Sequence, residues 1–459
     1  MDRSRLWHDV SVRSVKLLNI LFICAPFAYI WLSFYSGQIY GGEFSMTGNI
    51  AVIVVYVLLY AVFVRIYDAF QISQVSRSEL FFSQIIALSI SDVIIFILLA
   101  ALIRGLPELF RFAVCVLFQI IISYIWCVTV SWWYFKVFKK RRAVIIYDSI
   151  HNLNEIAKHG LFLRSFVLAG AYDIDEFRDA SGNERIDQLK DRIKEAEAVF
   201  LMEIPSLERN ELLKYCVENE ISCYDEPKIS DILMRSSRQF NMYNLPVVLV
   251  ERYSPTPEYM FIKRLSDILL ACLTLIIFSP VFLITALAIK ISDGGPVIYK
   301  QKRLTKNGRV FDIYKFRSMR IDAEKETGAV ISSGRNDPRV TGIGRLIRKL
   351  RIDELPQLIN IIKGDMSLVG PRPERPEMAE RFAQTLPEFN LRLQVRAGLT
   401  GYAQVYGRYD SDPYDKLSMD LHYIANAGLA EDLRILLVTF KRVLFREPEW
   451  HCGDENDTN

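Results

Sequence analysis

No two of the seven cysteines (24, 115, 127, 216, 223, 272 and 452) stand at C-x-x-C spacing, and several of them fall in apolar runs. That scatter excludes a disulfide framework and a zinc ribbon, and it fits soluble parts facing a reducing compartment. An excess of one charge is missing too: 56 Lys and Arg oppose 53 Asp and Glu, for a net +3. Bulk attraction to nucleic acid is therefore excluded, and any basic patch must be local. A removable leader is also lacking, because the first apolar stretch, Leu17 to Phe34, has no A-x-A-like site behind it and is followed by further apolar runs.

What is present is apolar length. Hydrophobic residues make up 51% of the 459 positions, a length that suggests two to four units. Four stretches, near 17–35, 48–66, 81–103 and 112–134, are each long enough for a hydrocarbon core of about 30 Å. Arg3, Arg5, Arg13 and Lys16 precede the first and Lys136, Lys139, Lys140, Arg141 and Arg142 follow the fourth, whereas the loop SGQIYGGEFSMTGN has no basic residue. Both ends are expected inside. Asp92, within the third stretch, is either a functional ionisable group or an interhelical hydrogen-bonding partner.

From residue 139 to 245 the pattern turns soluble. RRAVIIYD, FVLAGAYDI, AVFLMEI and ISCYDEP read as strands, and LNEIAKHG, IDQLKDRIKEA and NELLKYCVENE as helices. Alternation of this kind predicts a parallel α/β sheet of Rossmann type. The turn after its first strand, YDSIHNLNE, has no glycine, so the backbone N–H groups that would cradle a pyrophosphate lack their usual setting. A structural or regulatory role is expected instead. Residues 246–260, with three prolines, read as a linker to a last domain at 261–459.

That domain opens with ILLACLTLIIFSPVFLITALAI, flanked by Lys263 and Arg264 on one side and by Lys290, Lys300, Lys302 and Arg303 on the other. A crossing would separate two basic flanks. Ser279-Pro280 breaks the run at its centre, since Pro lacks the amide donor and clashes with the preceding turn. The reading is a re-entrant helix-break-helix over 263–290, with Ser279 satisfying a freed carbonyl and Asp267 pairing with Lys263 one turn away. A Pro-kinked ordinary span is the alternative.

After the hairpin come arginine-rich segments punctuated by Gly and Pro, including GRLIRKLRIDE, GPRPER and VRAGLTGYAQVYGR. Arginines on tight turns suit phosphate or lipid headgroups. Asp353 and Glu354 lie between that basic run and ELPQLINII. Asp353 is either the N-cap of a DELPQLIN helix or a carboxylate nucleophile toward phosphate, with Glu354 able to hold Mg²⁺ against a diphosphate.

KRLSD at 263–267, YKFRSM at 314–319, IDELPQLINIIKGDMSLVGPRP at 352–373 and VRAGLTGYAQVYGR at 395–408 resemble the bacterial sugar transferase family, the monotopic phosphoglycosyl transferases, over about Phe261 to Leu444. The spans at 1–138 and the 139–245 domain resemble its long-form members. The fold implied is a membrane protein of α plus α/β class: a four-helix transmembrane region, a degenerate Rossmann-like domain and a mainly helical catalytic domain. The resemblance implies transfer of a sugar-1-phosphate from a UDP-sugar to undecaprenyl phosphate, releasing UMP, as the first membrane step of capsule, exopolysaccharide or O-antigen assembly. It assigns Asp353 as nucleophile, Glu354 as the Mg²⁺ ligand, Lys315 and Arg348 as their supports, and Arg317, Arg372, Arg396, Thr400 and Arg408 as phosphate or nucleotide contacts. It further implies an inner-membrane location with the catalytic domain on the cytoplasmic face among membrane lipids, and a homodimer in some members. The family's usual VRPGLTGWAQVNGR differs at Ala397, Tyr402 and Tyr406, which bears on loop geometry and sugar choice. Competing readings are a glycosyltransferase that moves only the sugar and frees UDP, and a non-catalytic membrane regulator.

Overall fold

The computed structural model describes residues 3–39, 42, 45–73, 75–148, 160–177, 183–242, 244–320, 339–407 and 412–444. It forms two compact units, Met1–Glu226 and Pro227–Asn459. The first begins with four long helices, α1 (Arg3–Ile30), α2 (Met46–Ile66), α3 (Arg77–Ile103) and α4 (Leu109–Val137), which contain the four expected spans. All four are long and apolar enough to cross a membrane, α1 being prolonged by a π turn at Trp31–Tyr35 and a 3₁₀ turn to Gln38. Ser45 and Ser76 start α2 and α3 by accepting from the Gly48 and Glu79 amides, and Glu79 closes a capping box by accepting from the Ser76 amide.

Burial in this bundle runs opposite to that of a water-soluble one. Leu17, Leu21, Phe22, Leu58, Ile97 and Leu117 point outward, while Asn19, Gln84, Ser91, Asp92, Gln119 and Ser123 are buried. Apolar lipid around the bundle makes that arrangement favourable. Asp92 is an interhelical partner here, accepting from the Tyr56 hydroxyl at 2.7 Å.

The rest of the unit is a four-stranded parallel sheet of β1 (Arg141–Tyr147), β2 (Phe166–Asp173), β3 (Ala198–Met202) and β4 (Ser222–Asp225), with α5 (Gly160–Ser165), α6 (Asn183–Ile193) and α7 (Ser206–Glu218) between strands. The segment read as the LNEIAKHG helix lies almost wholly outside the described residues. The strand order is β2-β1-β3-β4. This corrects the Rossmann expectation, in which the third strand lies outside the second. Here it pairs with the first, as in the flavodoxin-like arrangement. At the carboxyl edge of β4, Asp225 grips the buried Arg209 of α7 through two oxygens.

The second unit starts with α8 (Ile229–Arg235) and an antiparallel ribbon, β5 (Arg238–Met242) and β6 (Leu245–Leu249). The stretch taken for a linker, 246–260, thus holds a strand and the start of the next helix. Two broken apolar helices follow, α9 (Pro257–Ile277) and α10 (Ser279–Asp293), bent by 63° at Phe278. The Ser279 hydroxyl donates to the Ile276 carbonyl at 2.8 Å, the compensation that a missing Pro280 amide calls for. Asp267 makes its hydrogen bonds with the Ser367 hydroxyl and the Leu368 amide, and the Lys263 expected as its ion-pair partner reaches Asp432 at 2.8 Å while its charge still acts on Asp267.

Beyond the hairpin come a two-stranded ribbon, β7 (Ile298–Leu304) with β8 (Val310–Phe316), then α11 (Gly342–Lys349), α12 (Gln357–Lys363), β9 (Met366–Val369), α13 (Pro376–Thr385), β10 (Ala397–Thr400), α14 (Tyr402–Tyr406), α15 (Pro413–Asn426) and α16 (Leu429–Leu444). Strands β9 and β10 pair in parallel. One core, with Ala271 of α9, Leu358 and Ile361 of α12, and Leu417 and Leu421 of α15, fills the centre. A second joins Ile289 of α10 to Phe316 of β8 and Ile347 of α11. Leu355, two residues after Asp353, packs against both.

Candidate active site

Helix α11 ends at Lys349, and Arg351 then adopts a left-handed conformation (φ 53°) that throws the chain into a 3₁₀ turn at Ile352–Glu354. Pro356 follows, and α12 begins only at Gln357. Asp353 is therefore not the cap of a DELPQLIN helix: neither the turn nor α12 has a side-chain cap. Proline has no amide to offer a cap, and the turn is instead fixed by Ile352 and Leu355 in the cores below it.

Strand alternation supplies the first partner. Phe311 and Ile313 of β8 face the core, and the next residue of that face is Lys315. Its ammonium approaches Glu354 Oε1 at 3.4 Å. The buried Asn360 of α12 locks this register, accepting from the Tyr314 amide at 3.0 Å and donating to the Asp312 carbonyl at 2.8 Å.

The GPRPER loop supplies the second. Gly370 passes so close to β10 that a Cβ there would lie 2.4 Å from the Arg396 carbonyl oxygen. Gly370 N–H donates to Thr400 O and Gly398 N–H to Pro371 O, so the loop is tied by its backbone. Arg303 donates to the Pro373 carbonyl and the buried Arg392 to the Arg372 carbonyl. Thus held, Arg372 Nη2 reaches Glu354 Oε1 at 3.3 Å. Arg348 of α11 is steadied by the Ser318 hydroxyl at 2.8 Å.

Lys315, Arg303, Arg348, Arg351 and Arg372 are the charges that act on the two carboxylates and on Lys315 itself. Burial pushes Asp353 up to about 6, and Glu354 adds to the rise against Lys315 and Arg348. Burial also works against ionising Glu354, but Lys315, Arg372 and Arg351 outweigh it and hold this carboxyl at about 2. Lys315 is lowered by burial and Arg372, with Glu354 opposing. Two neighbouring carboxylates thus have separated affinities for a proton, and the positive charge around them exceeds their own. Such a site suits a polyanion.

The remaining sequence candidates that the structure describes have other neighbours. Arg317 is buried against Gly295, where a Cβ would meet its guanidinium at 2.0 Å. Arg396 is half-buried with Arg264, Asp267 and Arg309 as its charged neighbours. Thr400 shares a hydrogen bond with Thr439 at 2.7 Å, and Arg264 donates to the Ile361 and Ile362 carbonyls that end α12. Arg408 lies outside the described residues. Sequence reasoning missed Arg303, Arg351 and Arg392 as site builders; only the inward parity of β8 carried a usable signal, and it pointed to Lys315.

The family model described as bacterial sugar transferase matches residues 258–446, from the second residue of α9 to just past α16. The chain is 40% identical over 194 residues to the exopolysaccharide production protein ExoY of Sinorhizobium fredii, covering 84% of that protein and 39% of its own length. The chain belongs to the bacterial sugar transferase family. It is 45% identical over 193 residues to the UDP-N-acetylgalactosamine-undecaprenyl-phosphate N-acetylgalactosaminephosphotransferase of Aeromonas hydrophila, covering 41% of this chain and 45% of that one. It is 37% identical over 218 residues to the UDP-glucose:undecaprenyl-phosphate glucose-1-phosphate transferase of Escherichia coli (strain K12), covering 46% and 47%. The chain thus spans about half the length of these two longer relatives. Membership and the four apolar helices make it a membrane-associated protein.

Proposed function

We propose that the protein transfers a sugar-1-phosphate from a UDP-sugar to undecaprenyl phosphate. The observation that carries the reading is Asp353 beside Glu354 on a turn ringed by Lys315, Arg348, Arg351 and Arg372. A phosphate drawn to these cations meets a carboxylate already in place. One Asp353 oxygen attacks the sugar-bearing phosphorus, the bond from that phosphorus to the bridging oxygen breaks, and UMP leaves with the bond's electron pair. An oxygen of undecaprenyl phosphate then attacks the same phosphorus, the acyl-phosphate bond breaks, and the Asp353 carboxylate is restored. Arg372 and Lys315 hold the charge that develops on the phosphoryl oxygens, and the Ser318 contact keeps Arg348 aimed at Asp353.

A Mg²⁺ ion fits this donor set only as one shared with substrate. Among the described residues no three His, Cys, Asp or Glu side chains converge, whereas one carboxylate plus diphosphate oxygens is a usual Mg²⁺ environment. Glu354, kept ionised, would hold it, and the ion would neutralise diphosphate charge. The basic flanks and the broken helix pair support a hairpin that returns to the cytoplasmic face, where UDP-sugar is found. Exposed Leu269, Leu273, Ile276, Leu283, Ile284 and Leu287 on its two arms suit hydrocarbon.

The test is the nucleotide released when membranes bearing the protein meet a panel of UDP-sugars. UMP, with parallel double-reciprocal lines in the two substrates, is expected. UDP as product, or intersecting lines, would overturn the two-step reading.

A further inference from the structure

The polar interior of the four-helix bundle has no part in the reaction above, and it is incompletely paired. Two layers of hydrogen bonds cross it. In one, Gln119 donates to the Tyr56 hydroxyl at 2.7 Å and to the Ile23 carbonyl at 3.1 Å, and Tyr56 donates to Asp92 Oδ1. In the other, Tyr60 donates to Asn19 Oδ1 at 3.0 Å and Ser123 to Gln84 Oε1. Asn19, Gln84, Gln119 and Ser123 are wholly buried and Asp92 is 5% exposed.

Each layer leaves polar atoms without a partner. Asp92 Oδ2 and Gln119 Oε1 are bare acceptors in the first, and Asn19 Nδ2 and Gln84 Nε2 are bare donors in the second. Turning an amide exchanges its donor for its acceptor but still leaves one atom of each unpaired. Between layers, Asn19 to Ile23, Tyr56 to Tyr60 and Gln119 to Ser123 are each four residues apart, an axial step of about 6 Å, whereas Gln84 and Asp92 on α3 are eight apart, about 12 Å. Two hydrogen bonds end to end through a water oxygen cover about 5.6 Å, so one water spans the shorter step and a chain of waters the longer.

We propose that this interior holds ordered water molecules that bridge the Asn19 and Gln84 amides to Asp92 and Gln119. Water is the ligand that serves both signs. A bare metal ion suits the two acceptors and is repelled by the two donors, and an apolar guest leaves all four unpaired. Buried water with two to four polar partners is the usual remedy for such groups.

Radiolytic hydroxyl-radical footprinting of the full chain in lipid nanodiscs tests this, because radicals formed from bound water modify the side chains beside it. Tyr35 is the control: it is as buried as Tyr56 and Tyr60, with its hydroxyl on the Glu108 carbonyl. Tyr56 and Tyr60 should be modified at least about tenfold faster than Tyr35, and within about threefold of the exposed Tyr224. Gln119→Leu, which removes one bridge end, should slow Tyr56 by about threefold or more. Tyr56 and Tyr60 rates equal to that of Tyr35 in the unaltered protein would mean a dry core and overturn the proposal. So would an unchanged Tyr56 rate in a Gln119→Leu protein that keeps its helix content. The first comparison needs no variant, and neither depends on transferase activity.

Discussion

Asp92 in the bundle and Asp353–Glu354 in the second unit are both carboxylates removed from water, yet their partners differ in kind. Asp92 is met by the phenol of Tyr56, with Gln119 behind it, and among the described residues no cation forms an ion pair with it. Glu354 is met by Lys315 and Arg372, with Arg351 adding its charge. Neutral donors hold a carboxylate in place and add no positive charge that would draw an anion, so they serve helix pairing. Surplus cations satisfy it and still project positive charge, so they serve an incoming anion. Burial alone does not mark a reactive carboxylate; the sign and surplus of its neighbours do.

Substitutions at the two places should therefore diverge. The largest effect is expected from Asp353→Asn: sugar-phosphate transfer should fall by about a thousandfold or more with the protein folded and membrane-bound, as loss of a covalent nucleophile demands. Retention of even a tenth of the turnover would remove Asp353 from that role. Glu354→Gln should lower turnover by about a hundredfold and abolish the restoration by Mg²⁺ of chelator-treated enzyme; activity indifferent to EDTA would count against Glu354 as an ion ligand. Arg372→Lys keeps the charge and loses the forked donor, so about a tenfold rise in KM for UDP-sugar is expected from initial rates. Smallest of all, Asp92→Asn should leave turnover within about twofold, since an amide oxygen can still accept from Tyr56. A large loss of transfer in that variant, with unchanged thermal midpoint, would erase the distinction between the two carboxylates.

Periodicity and charge made the membrane helices legible: apolar length placed the second to fourth within a few residues of their observed ends, while the first begins well before its apolar stretch, at Arg3. Ser279-Pro280 likewise marked the break correctly, because a missing amide is a local fact. The parallel sheet was legible as a class but not in its order, since alternation of strand and helix says nothing about which strand lies beside the first. Asp353 was readable as a chemical candidate, with an N-cap as the open alternative, and the sequence alone did not decide between them because the left-handed Arg351 has no signature in its side chain. Asp267 and Lys263 looked like partners at one helical turn, and each found a better one about a hundred residues or more away, Ser367 and Asp432. Arg303 and Arg392 were invisible for a similar reason: they act by holding the carbonyls of a distant loop.

The seating of Leu355 against both hydrophobic cores has a kinetic consequence. With Ile352 and Leu355 anchored, the carboxylate between them has one resting place. In the proposed reaction the donor would bring phosphorus to that single point and the acceptor would then bring an oxygen to the same phosphorus, one arriving from water and one from lipid. On that reaction the site would work as a turnstile, admitting one phosphate ester at a time. Excess undecaprenyl phosphate should therefore obstruct the unloaded enzyme and be consumed by the loaded one, giving a rate that rises and then falls with acceptor concentration. The descending limb should recede as UDP-sugar is raised.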